Sequence, residues 1–481
     1  MIIRHRFAAI AAVAVVLGVT ACSGSRSGGG GGGGGSGAGS SAGSGAPSAD
    51  AQSITVWTTD TLPDRVAATK TILAGFTQKT GVKVELVGVA EDQFNQVLTS
   101  SAAAGTLPDV MGSLSLSAIR NLSASELSDP AANADVVKAL GEGTFSKQAL
   151  TLTRDGDQQL AVPSDSWAQL LIYRKDLFDK AGLAPPKTFA DITAAAKALN
   201  TPQMAGFVGA TTPGDAFTEQ TFEQVALANG CQVVDDAGKV QIGSSQCVNA
   251  LSFYGDLIKN YSVAGAQDVD TTRAAYFAGK SAMIIWSSFI LDEMAGLRKD
   301  ALPSCQQCKS DPAFLAKNSG VVSAMQGPDG QTPAQFGEVT SWTVIKGSAT
   351  DSAKKFVEYM MSDGYPDWTK IAPEGKYPVR RGTQQEPAKF ADNWATLPVG
   401  VDEKAPLAKF YSPDVLKVLG SGPDAFKPWG ITQGQGKLIG AMSGELPVAA
   451  AVGEVTSGGS DAKTAADKAQ QAIQSIQDSL K

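Results

Sequence analysis

The stretch "VPSDSWAQLLIYRKDLFDKAGLAPPKTFADI", residues 162–192, decides how the chain is read. Its apolar block Leu170–Tyr173 has the composition of a buried strand. A short helix follows and stops at Gly182, a residue suited to the left-handed turn that closes helices. A second helix opens behind Thr188, whose hydroxyl is placed to cap it. Strand, helix, loop and helix in quick succession mark an α/β protein.

Reading outward, the same grammar recurs on both sides. Towards the N-terminus, "SITVWTTD" (53–60) reads as a strand, and Val66, Ile72, Leu73 and Phe76 share the face of a helix closed by Gly81. "VKVELVGV" (82–89) is a second strand, Gln93–Ala104 a helix, and "LPDVMGS" (107–113) a third strand. Towards the C-terminus, "QTFEQVALANG" and "CVNALSFYGDLIKNY" are amphipathic helices, with a hairpin at Ala237-Gly238 between them. "AAYFAGKSAMIIWSS" (274–288) is a helix end and a buried strand, and "SWTVIKGSATDSAKKFVEYMMSD" (341–363) a strand and a helix. The final 21 residues form a helix with Ala466, Ala469, Ile473 and Ile476 on one face. This alternation predicts a mainly parallel sheet with helices on both faces. The globular part, Ile54–Lys481, is too long for one core and suits two lobes.

The first 53 residues are of another kind. Arg4 and Arg6 precede the apolar run Phe7–Val19, which is too short to span a bilayer and has the make-up of an export signal. Val19-Thr20-Ala21-Cys22 resembles the bacterial lipobox, which implies diacylation of Cys22 and stable membrane anchoring. Ser23–Ser53, almost wholly Gly, Ser and Ala, is a flexible tether with a reach of roughly 30 Å. Five cysteines minus Cys22 leave an even number, as an oxidising compartment requires. Three pairings are open, of which Cys231–Cys247 and Cys305–Cys308 keep the loops local; "CQQC" also matches half a zinc site or a redox motif, but no second C-x-x-C and no thioredoxin-like context accompanies it.

Counting excludes more. Of 40 basic and 47 acidic residues, export processing removes Arg4 and Arg6 together with His5, the single histidine of the chain. The mature protein is acidic, which disfavours nucleic acid and anionic lipid as partners. It has no His-based catalytic dyad and no His-ligated metal site.

The order of segments resembles the extracellular solute-binding proteins of ABC importers, in the sugar-binding branch that includes maltose-binding protein. "FTQKTGVKVEL", "AAAGTLPDV", the 162–192 tract, "YFAGKSAMIIW", the 341–362 tract and "GKYPVRRG" carry the resemblance across nearly all of 54–481. It implies two Rossmann-like α/β lobes joined by a hinge, with ligand in the cleft between them and chain crossings near Pro163, near Ser341 and after Tyr377. The corresponding division is a signal peptide 1–21, a lipidated tether 22–53, lobe 1 from 54–163 and 342–380, and lobe 2 from 164–341 and 381–481. The implied function is a monomeric, non-enzymatic lipoprotein on the outer face of the cytoplasmic membrane, without cofactor or metal. It would capture a carbohydrate or related polyhydroxylated solute and pass it to a permease.

Sugars call for carboxylates or amides against paired hydroxyls and for aromatic faces against the pyranose. Expected ligand contacts are therefore Trp57, Thr59 and Asp60 after the first strand, Asp92, Ser113 after the third, Asp165 and Trp167, Trp286 and Ser287, Ser341 and Trp342, Tyr377, and Trp429. Arg380 and Arg381 leave room for a glycerophosphodiester or an acidic sugar. A secreted glycoside hydrolase is the rival from another class, but no acid/base carboxylate pair is recognisable. Trp368 reads as helix packing.

Overall fold

Residues 52–481 are described by a computed structural model of the chain. The predicted signal peptide, Cys22 and the tether up to residue 51 lie outside the described residues. The first strand, β1 (Ser53–Thr58), leads into α1 (Pro63–Thr80), which buries Thr69, Ile72, Leu73 and Phe76 on one stripe. Gly81 ends it in the left-handed conformation (φ 78°) and donates its N–H to Thr77 O. Next come β2 (Lys83–Gly88), α2 (Phe94–Ala104), β3 (Val110–Leu114), α3 (Leu116–Ala124) and α4 (Pro130–Leu140).

The tract that opened the reading becomes β4 (Val162–Arg174), α5 (Lys175–Ala181) and α6 (Phe189–Leu199), with Thr188 in a reciprocal capping box with Asp191. Thereafter α7 (Ala216–Ala228), α8 (Ser245–Tyr261), β5 (Met283–Ser287), β6 (Ser319–Val322), β7 (Gly337–Val344), α9 (Thr350–Met360) and β8 (Tyr377–Pro378) follow. The chain ends in α10 (Gly436–Met442), α11 (Pro447–Thr456) and α12 (Ala462–Ser479). The last of these buries Ala465, Ala466, Ala469, Ile473 and Ile476, the stripe read from the sequence.

Strand β4 organises the molecule. It runs 13 residues, roughly 40 Å, where only Leu170–Tyr173 read as strand. Its first half, Val162–Ala168, pairs with β7 and, at Asp165–Ser166, with β8. Its second half, Gln169–Arg174, pairs with β5 and β6. One strand thus belongs to two sets of partners and ties the two α/β lobes into a continuous sheet with the path β8-β4-β7-β3-β1-β2.

The expectation of a mainly parallel sheet needs correction. Parallel pairing joins β1 to β2 and to β3, but β4 and β7 pair antiparallel with all their neighbours. The cause is the path of the chain: β4 and β7 are separated by more than 160 residues and run in opposite senses past one another. A local strand-helix rhythm records crossover units and carries no trace of such a return.

Both cysteine pairs expected on economy are formed, Cys231 with Cys247 and Cys305 with Cys308, and all four residues are buried. The first closes a loop across 16 residues and stabilises the hairpin region by about 3 kcal/mol in the chain-entropy picture.

Candidate functional site

The carboxyl ends of β1 and β3 open onto a cleft, as expected for ligand loops of an α/β fold. At the end of β1, Thr58 Oγ1 accepts the Asp60 N–H (3.1 Å) and Thr59 Oγ1 donates to Ser113 O (2.7 Å). Ser113 lies within the register shift of the β3–β7 pairing, between Met111 and Leu114, and holds a left-handed backbone (φ 58°), a costly conformation for a residue with a side chain. Gly112 beside it has a specific reason to be glycine. A Cβ there would stand 2.1 Å from the Trp342 ring.

One end of the cleft, a cavity of about 220 Å³, is lined by Thr59, Asp60, Ser113, Asp165, Trp167 and Ser287 among the expected residues, together with Arg65, Phe217, Phe289, Thr340 and Lys376. Its charges are matched. Asp60 bonds Arg65 (3.2 Å) and Lys376 (3.0 Å), with every partner largely buried. Burial pushes the Asp60 carboxyl up, yet Lys376 and Arg65 outweigh it and hold the group below the usual carboxylate range. Lys376 lies 4.0 Å from the Trp368 ring centroid, and Trp368 Nε1 donates to Asp165 Oδ1 (2.6 Å) while Thr340 Oγ1 donates to Oδ2 (2.7 Å). Asp165 thus has both oxygens engaged by protein donors.

The other end, about 130 Å³, shares Thr59, Glu91, Ser115, Gln220 and Glu338 with the first, so the two are one continuous cleft. Ala216, Glu219, Gln220 and Glu223 line it from one face of α7, whose N-terminus Asp215 caps. Ser115 caps α3, and Glu338 Oε1 accepts the first-turn Leu116 N–H (2.7 Å). Glu223 Oε1 accepts the Trp429 N–H (2.8 Å), and Trp429 Nε1 donates to Cys231 O (3.0 Å), which fixes the indole. Phe94 and Phe336 complete the aromatic walls. Burial raises Glu219 to about 7 and, with the repulsion of neighbouring carboxylates, raises Glu223 and Glu338 to about 8.

Several expected contacts lie elsewhere. Trp342, expected on the cleft, is fully buried in the core beneath β1 and β3, edge-on to Phe356 and Trp368. Its ring packs on the α9 side of β7, although simple alternation from the cleft-lining Thr340 would keep it on the cleft face; the register shifts in β4 and β3 beside Ser341 interrupt that alternation. Ser341 is likewise buried. Arg380 is buried and donates to Leu140 O, Met361 O and Thr144 Oγ1. Arg381 pairs with Asp424, and Tyr377 packs edge-on against Trp394. None of these five lines either cavity. Trp57 sits in the core under β1, and Trp286 turns its Nε1 to Val269 O (3.1 Å) behind the lining residue Phe217. The side chain of Asp92 lies outside the described residues.

The reading of the sequence missed Glu219, Glu223 and Glu338. A signal existed for the first two: "FTEQTFEQ" sets two carboxylates four residues apart with no basic residue between them, a repulsive helix pair without compensation. Glu338 gives none, since it stands alone in "FGEVTSW".

Comparison with known proteins agrees with this geometry. The family of bacterial extracellular solute-binding proteins matches residues 59–365. A protein of Escherichia coli (strain K12) named as a candidate ABC transporter periplasmic-binding protein, YcjN, is 30% identical over 326 residues, covering 66% of this chain and 71% of its own. The GacH receptor of Streptomyces glaucescens, solved unliganded and with acarbose, superposes with a TM-score of 0.67 at 20% identity over 88% of this chain and 98% of its own. A sugar transporter from Arthrobacter chlorophenolicus with bound laminaribiose gives 0.67 at 18% identity, over 88% and 99%. The described residues thus carry the two-lobed α/β architecture of these proteins, and the chain belongs to the bacterial extracellular solute-binding proteins, an exported family.

Proposed function

We propose that this protein captures a carbohydrate in the cleft and delivers it to the permease of an ABC importer, without chemical change. The observation that carries the reading is the cleft itself: hydroxyl and carboxylate side chains at the strand ends face the aromatic walls Trp167, Phe336 and Trp429, the pairing of groups that a pyranose requires. The names of the E. coli relative and of the sugar-bound neighbours support it. Lobe closure about a hinge is the switch of such binders. We assign the hinge to β4 and β7, with the boundary between Ala168 and Gln169, where β4 changes partners, in place of Pro163. The lipid anchor at Cys22 completes the proposal and keeps the exported protein beside its permease.

The motive for a glycerophosphodiester is weaker than the sequence suggested, because Arg380 and Arg381 are both engaged away from the cleft. Thermal unfolding against a saccharide panel tests the reading: a ligand at about 100 times its Kd adds roughly 2.7 kcal/mol. Absence of any shift with mono- and oligosaccharides would refute it. Recovery of intact saccharide after long incubation is expected, and cleavage products would favour a hydrolase instead.

A further inference from the structure

The cleft is not electrically uniform, and its far end asks for a particular ligand group. Glu219, Glu223 and Glu338 all line that cavity, and no Lys, Arg or His is on its lining. They sense one another: Glu219 and Glu338 both act on Glu223, and Glu91 acts on Glu338. The protein supplies backbone N–H groups to Glu223 and Glu338, which satisfy hydrogen bonding without adding a positive charge. Glu219 Oε2 is sealed from solvent and has no protein donor. Phe94, Phe336 and Trp429 wall the same space, and aromatic faces attract cations. The opposite end has the contrary design, with Asp60 neutralised from within by Arg65 and Lys376.

We propose that the natural ligand is an aminated saccharide, its ammonium group seated among Glu219, Glu223 and Glu338 and its sugar ring extending towards Trp167 and Asp60. This rests on the carbohydrate reading above and narrows it. A neutral sugar leaves three crowded carboxyl groups with their mutual repulsion or obliges them to hold protons. An ammonium group removes the repulsion, donates to Glu219 Oε2 and stacks on the indole of Trp429.

Isothermal titration of the mature protein with paired probes tests the idea: glucosamine against glucose, and the β-1,4 glucosamine disaccharide against cellobiose. The aminated member is expected to bind at least tenfold tighter at pH 7.5. Its affinity should rise from pH 5.5 to about 7 as Glu219, Glu223 and Glu338 ionise and fall again above about pH 8 as the sugar's own ammonium group loses its proton, with proton release near pH 7 visible as a buffer-dependent heat. The ionisable groups on the lining that govern this profile are those three and Glu91; Pro428–Ile431 and α10 contribute none, and Asp60, Arg65, Asp165 and Lys376 stand at the other end. Glu223→Gln and, separately, Glu219→Gln should each reduce the amine preference at least fivefold, with thermal unfolding as the check that each variant folds. Equal or tighter binding of the neutral sugars overturns this inference and leaves the carbohydrate reading standing. Binding of putrescine without any saccharide, or of no probe at all, overturns both.

Discussion

The two ends of one cleft solve the same electrostatic problem in opposite ways. Asp60 is buried, but Lys376 and Arg65 reach it and its carboxyl is held low. Glu338 is buried and Glu219 and Glu223 are partly so, with backbone donors only, and their carboxyls are raised to about 7 for Glu219 and about 8 for the other two. Burial disfavours charge at both ends, so the presence of a partner cation decides the outcome. The matched end is thus charge-balanced within the protein, and the unmatched end leaves charge compensation to what binds.

The largest effect should come from breaking the matched end. Lys376→Met leaves Asp60 with Arg65 alone and is expected to cost roughly 3–5 kcal/mol by denaturant titration, with partial recovery in the Lys376→Met, Asp60→Asn double variant. An unchanged midpoint would show that the pair is not needed for the fold. Trp342→Ala, which empties the core behind this end, should cost about 3–4 kcal/mol while saccharide affinity changes less than threefold. A tenfold loss of affinity would return Trp342 to the site.

A smaller effect sharpens the contrast at the unmatched end. Groups whose folded pKa is raised stabilise the fold fully below their unfolded value near 4.5 and lose that contribution as pH rises through about 7 to 8. The free protein should therefore melt at lower temperature at pH 8.5 than at pH 5.5. Glu223→Gln should flatten the profile and gain roughly 2 kcal/mol at the higher pH. A parent profile flat over this range would contradict the burial of these carboxyls. Smallest of all, Arg381→Ala removes a solvent-screened pair with Asp424 and should shift stability by less than about 0.5 kcal/mol and leave ligand affinity unchanged.

Much of the fold was legible because it is written in local periodicity. The α1 stripe, the Thr188 cap and the C-terminal helix each depend on residues within a few turns of one another. The site was legible where strand ends predict it, as at Thr59, Asp60, Ser113, Asp165 and Trp167. It was illegible where orientation decides. Trp342 and Glu338 lie on the same strand, four residues apart, yet one enters the core and the other the cleft; both neighbouring strands bulge beside this segment, β4 at Pro163–Asp165 and β3 at Met111–Leu114, and simple alternation no longer predicts the face.

By itself, then, the sequence determined the class of the chain: an α/β alternation over residues 54–481, five cysteines, an excess of acidic over basic residues, and a single histidine at position 5. These are sums and short-range patterns, which survive without coordinates. Only the tertiary structure decided which carboxylates have cations and which do not. Asp60 and Lys376 are more than 300 residues apart in sequence, and Thr59 is farther still from the tryptophan of the other end, and the electrostatics of a buried group depend on what folding brings within a few ångströms of it.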